Sequence, residues 1–110
     1  MNAFEEREQA FENKFGHDEE LEFKIATRAA HLFGLWAAEQ LGIKGVDAQV
    51  YADKCVDAEL VKQGHAALFT KTEKDFQTKD VSLTRHRMER EMEACFVKAR
   101  GKMAGSAKRT

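Results

Sequence analysis

The 110 residues contain no proline and only one tyrosine and one tryptophan. With no proline, no segment is barred from a helix by a missing amide or a ring clash. Valine, isoleucine and tyrosine are too sparse to furnish a sheet, whereas Ala, Leu, Glu, Lys, Arg, Gln and Met dominate. No apolar run approaches the roughly 20 residues needed to span a bilayer, and Met1–Glu6 lacks the cationic start and apolar stretch of a signal peptide. Cys55 and Cys95 have no short-range partner, so two reduced thiols in a cytoplasmic protein are expected.

Several chemistries are missing as well. There is no Gly-x4-Gly-Lys-Ser/Thr or Gly-x-Gly-x-x-Gly phosphate cradle. A di-iron bundle needs Glu-x-x-His pairs, but Lys14, Arg28, Lys62 and Leu83 stand three residues before the four histidines. Neither Cys-x-x-Cys nor His-x-x-x-His occurs, which removes the common zinc spacings. Cys55 and Cys95 lie on apolar stripes and read as inert core thiols rather than nucleophiles. His17, beside Asp18, reads as part of a helix-start hydrogen-bond pattern, because no third group completes a catalytic set. Trp36 reads as core, or as one wall of a small-molecule cleft between helices. The chain is not expected to be an enzyme.

What is present is helical periodicity, with 43% apolar residues to build one core. A long helix is expected from about Asp18 to Leu41, with Asp18 as its cap and Leu21, Ile25, Ala29, Leu32, Phe33, Trp36 and Ala37 as its apolar stripe. Gly42 should stop it, with Ile43 folding back on the last turn. Gly34, inside that helix, either permits a close crossing or simply costs about 1 kcal/mol relative to alanine. A second helix should span Val46–Lys62, with Tyr51, Cys55, Ala58 and Val61 on one side, and a third Ala66–Thr78, with Phe69, Thr72 and Phe76 in line. Ser82 should cap a fourth, carrying Met88, Met92, Cys95, Phe96, Ala99 and Met103. The expected fold is all-α: an antiparallel four-helix bundle over residues 17–103, with a mobile N-terminal arm over residues 1–16 and a loose C-terminal tail over residues 104–110.

Charge is distributed unevenly along the chain. Residues 1–22 hold eight acids and two bases, residues 82–110 eight bases and three acids, yet the total is −1. A dipolar chain of this kind favours protein contacts over a nucleic-acid surface, which would want a basic total. Arg85, Arg87, Arg90, Lys98 and Arg100 give the last helix a basic face that reads as solvated, or as a complement to the acidic start; nucleic-acid binding through that helix is the third-ranked function.

The N-terminal arm carries the strongest functional signal. Asn2 and Glu5 have the spacing of a capping box. At 100° per residue Phe4, Arg7, Phe11, Lys14 and Phe15 fall within an arc of about 100°, beside an acidic strip of Glu5, Glu8 and Glu12. Burying three phenylalanines gives about 5–9 kcal/mol, while ordering fourteen backbones costs about 1–2 kcal/mol each before other contacts offset it. No Glu-to-Lys pair at i, i+4 helps the arm alone. It reads either as a mobile arm that becomes helical in a partner's cleft, or as a short first helix resting on the bundle.

Two blocks are distinctive: Arg7-Glu8-Gln9-Ala10-Phe11-Glu12-Asn13-Lys14-Phe15-Gly16-His17-Asp18-Glu19-Glu20-Leu21 and Leu32-Phe33-Gly34-Leu35-Trp36-Ala37-Ala38-Glu39-Gln40-Leu41-Gly42. Together they resemble the zeta-subunit family, small inhibitors of the alphaproteobacterial F-type ATP synthase, with weaker similarity running to about Met103. The resemblance implies a four-helix bundle whose arm enters the catalytic head, between catalytic and non-catalytic subunits and against the central shaft. There it would block ATP hydrolysis while permitting synthesis. Carried onto this chain, the arm is Asn2 to about Phe15, with Phe4, Arg7, Phe11, Lys14 and Phe15 as contacts and the bundle anchored outside the head. The resemblance further implies weak ADP or ATP binding on the bundle, no required cofactor, and a cytoplasmic location peripheral to the inner membrane. The alternative function is an ADP/ATP-sensing bundle. This chain departs from the family pattern at Lys44, in the loop Lys62-Gln63-Gly64-His65 and beyond Gly101.

Overall fold

The computed structural model describes the backbone of residues 3–61 and 65–108 and the side chains of residues 19–61 and 65–102. Four α-helices follow one another: α1 (Ala3–Gln40), α2 (Val46–Val61), α3 (Ala66–Thr78) and α4 (Arg85–Lys108). The all-α, four-helix architecture is the expected one. Short connections place α2 beside α1 and α3 beside α2, while α4 returns along α1. Contacts between Glu22 and Arg100, and between Trp36 and Arg87, show α1 and α4 running antiparallel.

The helix ends follow local chemistry. Gly42 takes φ +77°, its amide donates to the Glu39 carbonyl at 3.1 Å, and the Ile43 amide reaches back to the Ala38 carbonyl at 2.8 Å. These are the two bonds of a Schellman stop, and Ile43 packs on the core as its apolar partner. The same device ends α3 with Asp80 at φ +57°, Val81 donating to the Phe76 carbonyl at 2.8 Å. At the start of α4 the expected cap is displaced by two residues. The Arg87 amide donates to Thr84 Oγ1 at 3.1 Å, so Thr84 rather than Ser82 is the cap.

Two boundaries run further than the sequence reading placed them. The backbone of α1 is helical from Ala3 without a break at Gly16–Asp18, so Asp18 does not cap a helix start. Two interior glycines, Gly16 and Gly34, weaken it locally, but no proline is present to break it. Likewise α4 passes through Gly101 and continues to Lys108.

The core collects Ile25, Ala29, Ala30, Phe33, Ala37 and Ala38 from α1, Tyr51, Ala52 and Cys55 from α2, Leu68, Phe69, Thr72 and Phe76 from α3, and Met88, Met92, Cys95 and Ala99 from α4. Leu21, Leu32 and Trp36 pack against it partly buried. Phe33 lies at its centre, 5.4 Å from Trp36 and 5.7 Å from Phe69 between ring centres. Thr72 is buried but satisfied, donating to the Leu68 carbonyl at 3.0 Å. Val61, placed on the inner side of α2 by its spacing, is 79% exposed. The inner face of that helix is set by Tyr51, Ala52, Cys55 and Glu59, and Val61 lies about 135° around from its centre at 100° per residue.

Gly34 is required by packing. A Cβ there would lie 2.7 Å from the Ala52 Cα and 3.0 Å from the Cys55 Cβ, so α1 and α2 touch almost backbone to backbone. Gly34→Ala is expected to gain about 1 kcal/mol in helix propensity and lose more to overpacking of about 1–3 kcal/mol, for a lower urea midpoint. Gly101→Ala in α4 meets nothing within 4 Å and should raise the midpoint instead.

Candidate functional site

The first site to build is the base of the N-terminal extension of α1. The described burial of this helix begins with Leu21, partly buried, and Ile25, 3% exposed. Beside them Glu22 meets Arg100 of α4 in a two-pronged ion pair, with Nη1 donating to Oε1 at 2.7 Å and Nη2 to Oε2 at 3.0 Å. The hydrogen bond from Arg100 holds the Glu22 carboxyl below its ordinary value and the guanidinium correspondingly higher. A planar fork facing a carboxylate fixes direction as well as distance. Both side chains are half exposed, so the pair orients more than it stabilises.

From this base the backbone of α1 continues helically back to Ala3. Phe4, Arg7, Phe11, Lys14 and Phe15 lie on that stretch, but their side chains, with Asn2 and those of His17 and Asp18, fall outside the described residues.

The basic face of α4 is largely neutralised within the fold. Arg85 donates to Glu73, Arg87 to Glu91 Oε1 at 3.2 Å, and Arg100 to Glu22. These pairs support the solvated-face reading over a phosphate-binding one. Trp36 belongs to the core edge: its ring stands 6.2 Å from Phe76, and Arg87 covers it at 5.1 Å. Both thiols are buried and unpaired, and burial pushes each up to about 12. That suits inert packing groups and not nucleophiles. Among the described residues no cluster of three His, Cys, Asp or Glu side chains could hold a metal, and no helix is long and apolar enough to cross a membrane.

Some features had no warning in the sequence reading. Glu59 is 9% exposed and its Oε2 accepts from His65 Nδ1 at 2.7 Å, tying the end of α2 to the start of α3. Tyr51 donates to Asp75 Oδ2 at 2.7 Å, and Lys71 donates to the same oxygen at 2.9 Å. Burial, then the bond to Asp75, raises the Tyr51 hydroxyl far above its ordinary value. An open cleft of about 580 Å³ lies between the start of α3 and the middle of α4, bounded by His65, Phe69, Met92, Phe96, Val97, Glu89 and Glu93. A second hollow of about 470 Å³, beside the start of α2, carries Lys44, Lys54, Asp47 and Tyr51. A 3.6-residue pattern finds faces, but these hollows come from which faces meet.

The long helix mounted on a small bundle now has a match. The model of the ATPase inhibitor subunit zeta family matches residues 1–102. The chain belongs to that family. No curated protein matches it. A solution NMR structure of a small protein is similar at 28% identity and a TM-score of 0.69, over 78% of this chain and 98% of that one. The zeta family is one of ATPase inhibitors, a regulatory role rather than a catalytic one.

For a zeta-family bundle closed in this way, both thiols should resist reagents. Native protein with a thiol-reactive dye at neutral pH is expected to label neither Cys55 nor Cys95 on the timescale of minutes, and both in urea. Rapid native labelling of either residue would show that the α1–α2 or α1–α4 seam opens readily.

Proposed function

We propose that this chain is a non-catalytic inhibitor of the F-type ATP synthase whose N-terminal stretch enters the catalytic head as a helix and blocks ATP hydrolysis. The observation that carries the reading is the length of α1. Thirty-eight residues make a rod of about 57 Å, against about 24 Å for the sixteen of α2. The molecule measures 64 × 28 × 22 Å along its principal axes. A helix so much longer than the bundle it helps to build suits a probe inserted elsewhere.

The chemistry of that probe comes from the sequence. Phe4, Phe11 and Phe15 supply apolar bulk on one side, and Arg7 and Lys14 interleave with them. Such a face gains its burial in a cleft between subunits and its register from carboxylates there. Inserted between catalytic and non-catalytic subunits and against the central shaft, it stops rotation in the hydrolytic direction. The bundle stays outside as the anchor, and the chain lies in the cytoplasm, peripheral to the inner membrane through the synthase.

The test is to add purified chain to ATPase-active synthase from a matching bacterium. Hydrolysis should fall at micromolar protein, and deletion of residues 1–15 should abolish the effect with the helical circular-dichroism signal largely kept. Undiminished hydrolysis with the full chain would refute the reading.

A second reading, weak ADP or ATP binding on the bundle, is favoured by the hollow beside α2. Lys44 and Lys54 supply positive charge there next to the first amides of a helix. Titration with ADP should give saturable amide shifts around Lys44–Lys54, and their absence would remove this reading.

A further inference from the structure

Three cations of this bundle are held in the same way, each between an aromatic ring and a carboxylate. Lys71 Nζ stands 4.7 Å from the Tyr51 ring centre and donates to Asp75 at 2.9 Å. Arg85 lies 5.2 Å over Phe69 and donates to Glu73. Arg87 lies 5.1 Å over Trp36 and donates to Glu91. The ring face offers negative potential, the carboxylate fixes the charge, and together they replace part of the water a surface cation gives up.

The cleft between α3 and α4 has the same parts: Arg85 already covers Phe69, but among the described residues no cation lies over Phe96 or pairs with Glu89 and Glu93. Phe69, Met92 and Phe96 form its apolar lining, and His65 closes one side, its ring 5.4 Å from that of Phe96 and its Nδ1 tied to Glu59. Glu89 and Glu93 stand exposed at its rim, one helical turn apart on α4. Among the described residues neither forms an ion pair, and two like charges at i, i+4 repel. Val97, 70% exposed, places an apolar side chain in water at the same mouth. Of the charged residues flanking this stretch, Arg85, Arg87, Glu91 and Arg100 are paired, while Arg90 and Lys98 form no ion pair among the described residues.

We infer that the α3–α4 cleft, with its ring floor and its Glu89–Glu93 rim, is a docking site for an arginine or lysine side chain of a protein partner. The cation sits against the rings and between the two carboxylates. An apolar neighbour on the same partner segment covers Phe96 and Val97. A basic amphipathic stretch therefore fits, and an acidic or phosphate-bearing partner does not. That the stretch belongs to the outer surface of the ATPase head rests on the inhibitory reading above; the chemistry of the cleft does not.

Two measurements on the full chain decide the matter. In the first, isotope-labelled protein is titrated with N-acetyl-arginine methyl ester and separately with the citrulline analogue, which has the shape without the charge. Saturable shifts at the Glu93, Phe96 and Val97 amides are expected for arginine alone. Equal responses to both probes would overturn the inference. In the second, inhibition of the ATPase is compared for wild type, Glu89→Gln/Glu93→Gln and Glu89→Lys/Glu93→Lys, each checked for helicity. The double reversal should need about tenfold more protein for half-inhibition, the neutral pair an intermediate amount, with the gap narrowing in salt. Equal potency of the reversal and the wild type would overturn it. Should wild type itself leave hydrolysis untouched, the inhibitory reading fails, and the probe titration still decides whether the cleft binds a cation.

Discussion

Between Gly34 of α1 and Ala52 of α2 there is no room for a methyl group, and much of the remaining packing follows from that closeness. Because these two backbones nearly touch, the neighbouring positions on α1 are small: Ala30 and Ala38 stand one turn to either side, both fully buried. Large side chains have no place in that seam and gather elsewhere on α1, with Phe33 about 100° and Trp36 about 160° around the axis from Gly34. There Phe33, Trp36, Phe69 and Phe76 form a chain of tilted and edge-on contacts that joins α1 to α3. Bulk excluded at one seam thus becomes the filling of another. Close-packed interiors leave few other solutions, since a void or a clash at either seam would be felt at both.

The apolar stripe of α1 was readable because a long amphipathic helix repeats its signal many times. Ile25, Ala29, Phe33 and Ala37 recur at four-residue steps and are buried. On α2 the signal was weaker, for alanines, a cysteine and a valine say little about which way a helix faces. There Val61 was drawn inward by spacing, while the actual inner position is taken by Glu59, a charged residue that pattern reading discards. Its burial makes sense only once His65, just before α3, is seen to meet it. Ser82 and Thr84 are equally good caps by chemistry, and only backbone geometry selects Thr84. Gly34 was the reverse case: the sequence posed two explanations, and the neighbouring helix decides between them.

The candidate sites divide in the same way. Residue type and spacing suffice to mark Phe4, Arg7, Phe11, Lys14 and Phe15 as one face, since they sit on one stretch of chain. The α3–α4 cleft joins residues from two helices with a turn between, so no local pattern contains it. What could have hinted at it is the like-charged pair Glu89 and Glu93 with Phe96 and Val97 following, an apolar and acidic mixture on a helix whose other charges, Glu91 aside, are basic.

The proposed insertion requires a helix held at its root, and the structure separates holding from aiming. The Glu22–Arg100 pair is well formed but half exposed, and pairs of that kind contribute little to stability. Retention falls instead to burial just beyond it, where Ile25 is almost fully enclosed and worth about 1.5–3 kcal/mol, with Ala29, Ala30 and Phe33 behind. Direction is another matter. A single apolar contact permits rotation about the helix axis, whereas two parallel hydrogen bonds from a planar guanidinium do not. Placed about a turn before Ile25, the pair fixes the rotation of α1 against α4 where the helical stretch leaves the bundle. Losing the pair should therefore redirect the extension before it loosens the fold, and the close α1–α2 contact should do the opposite.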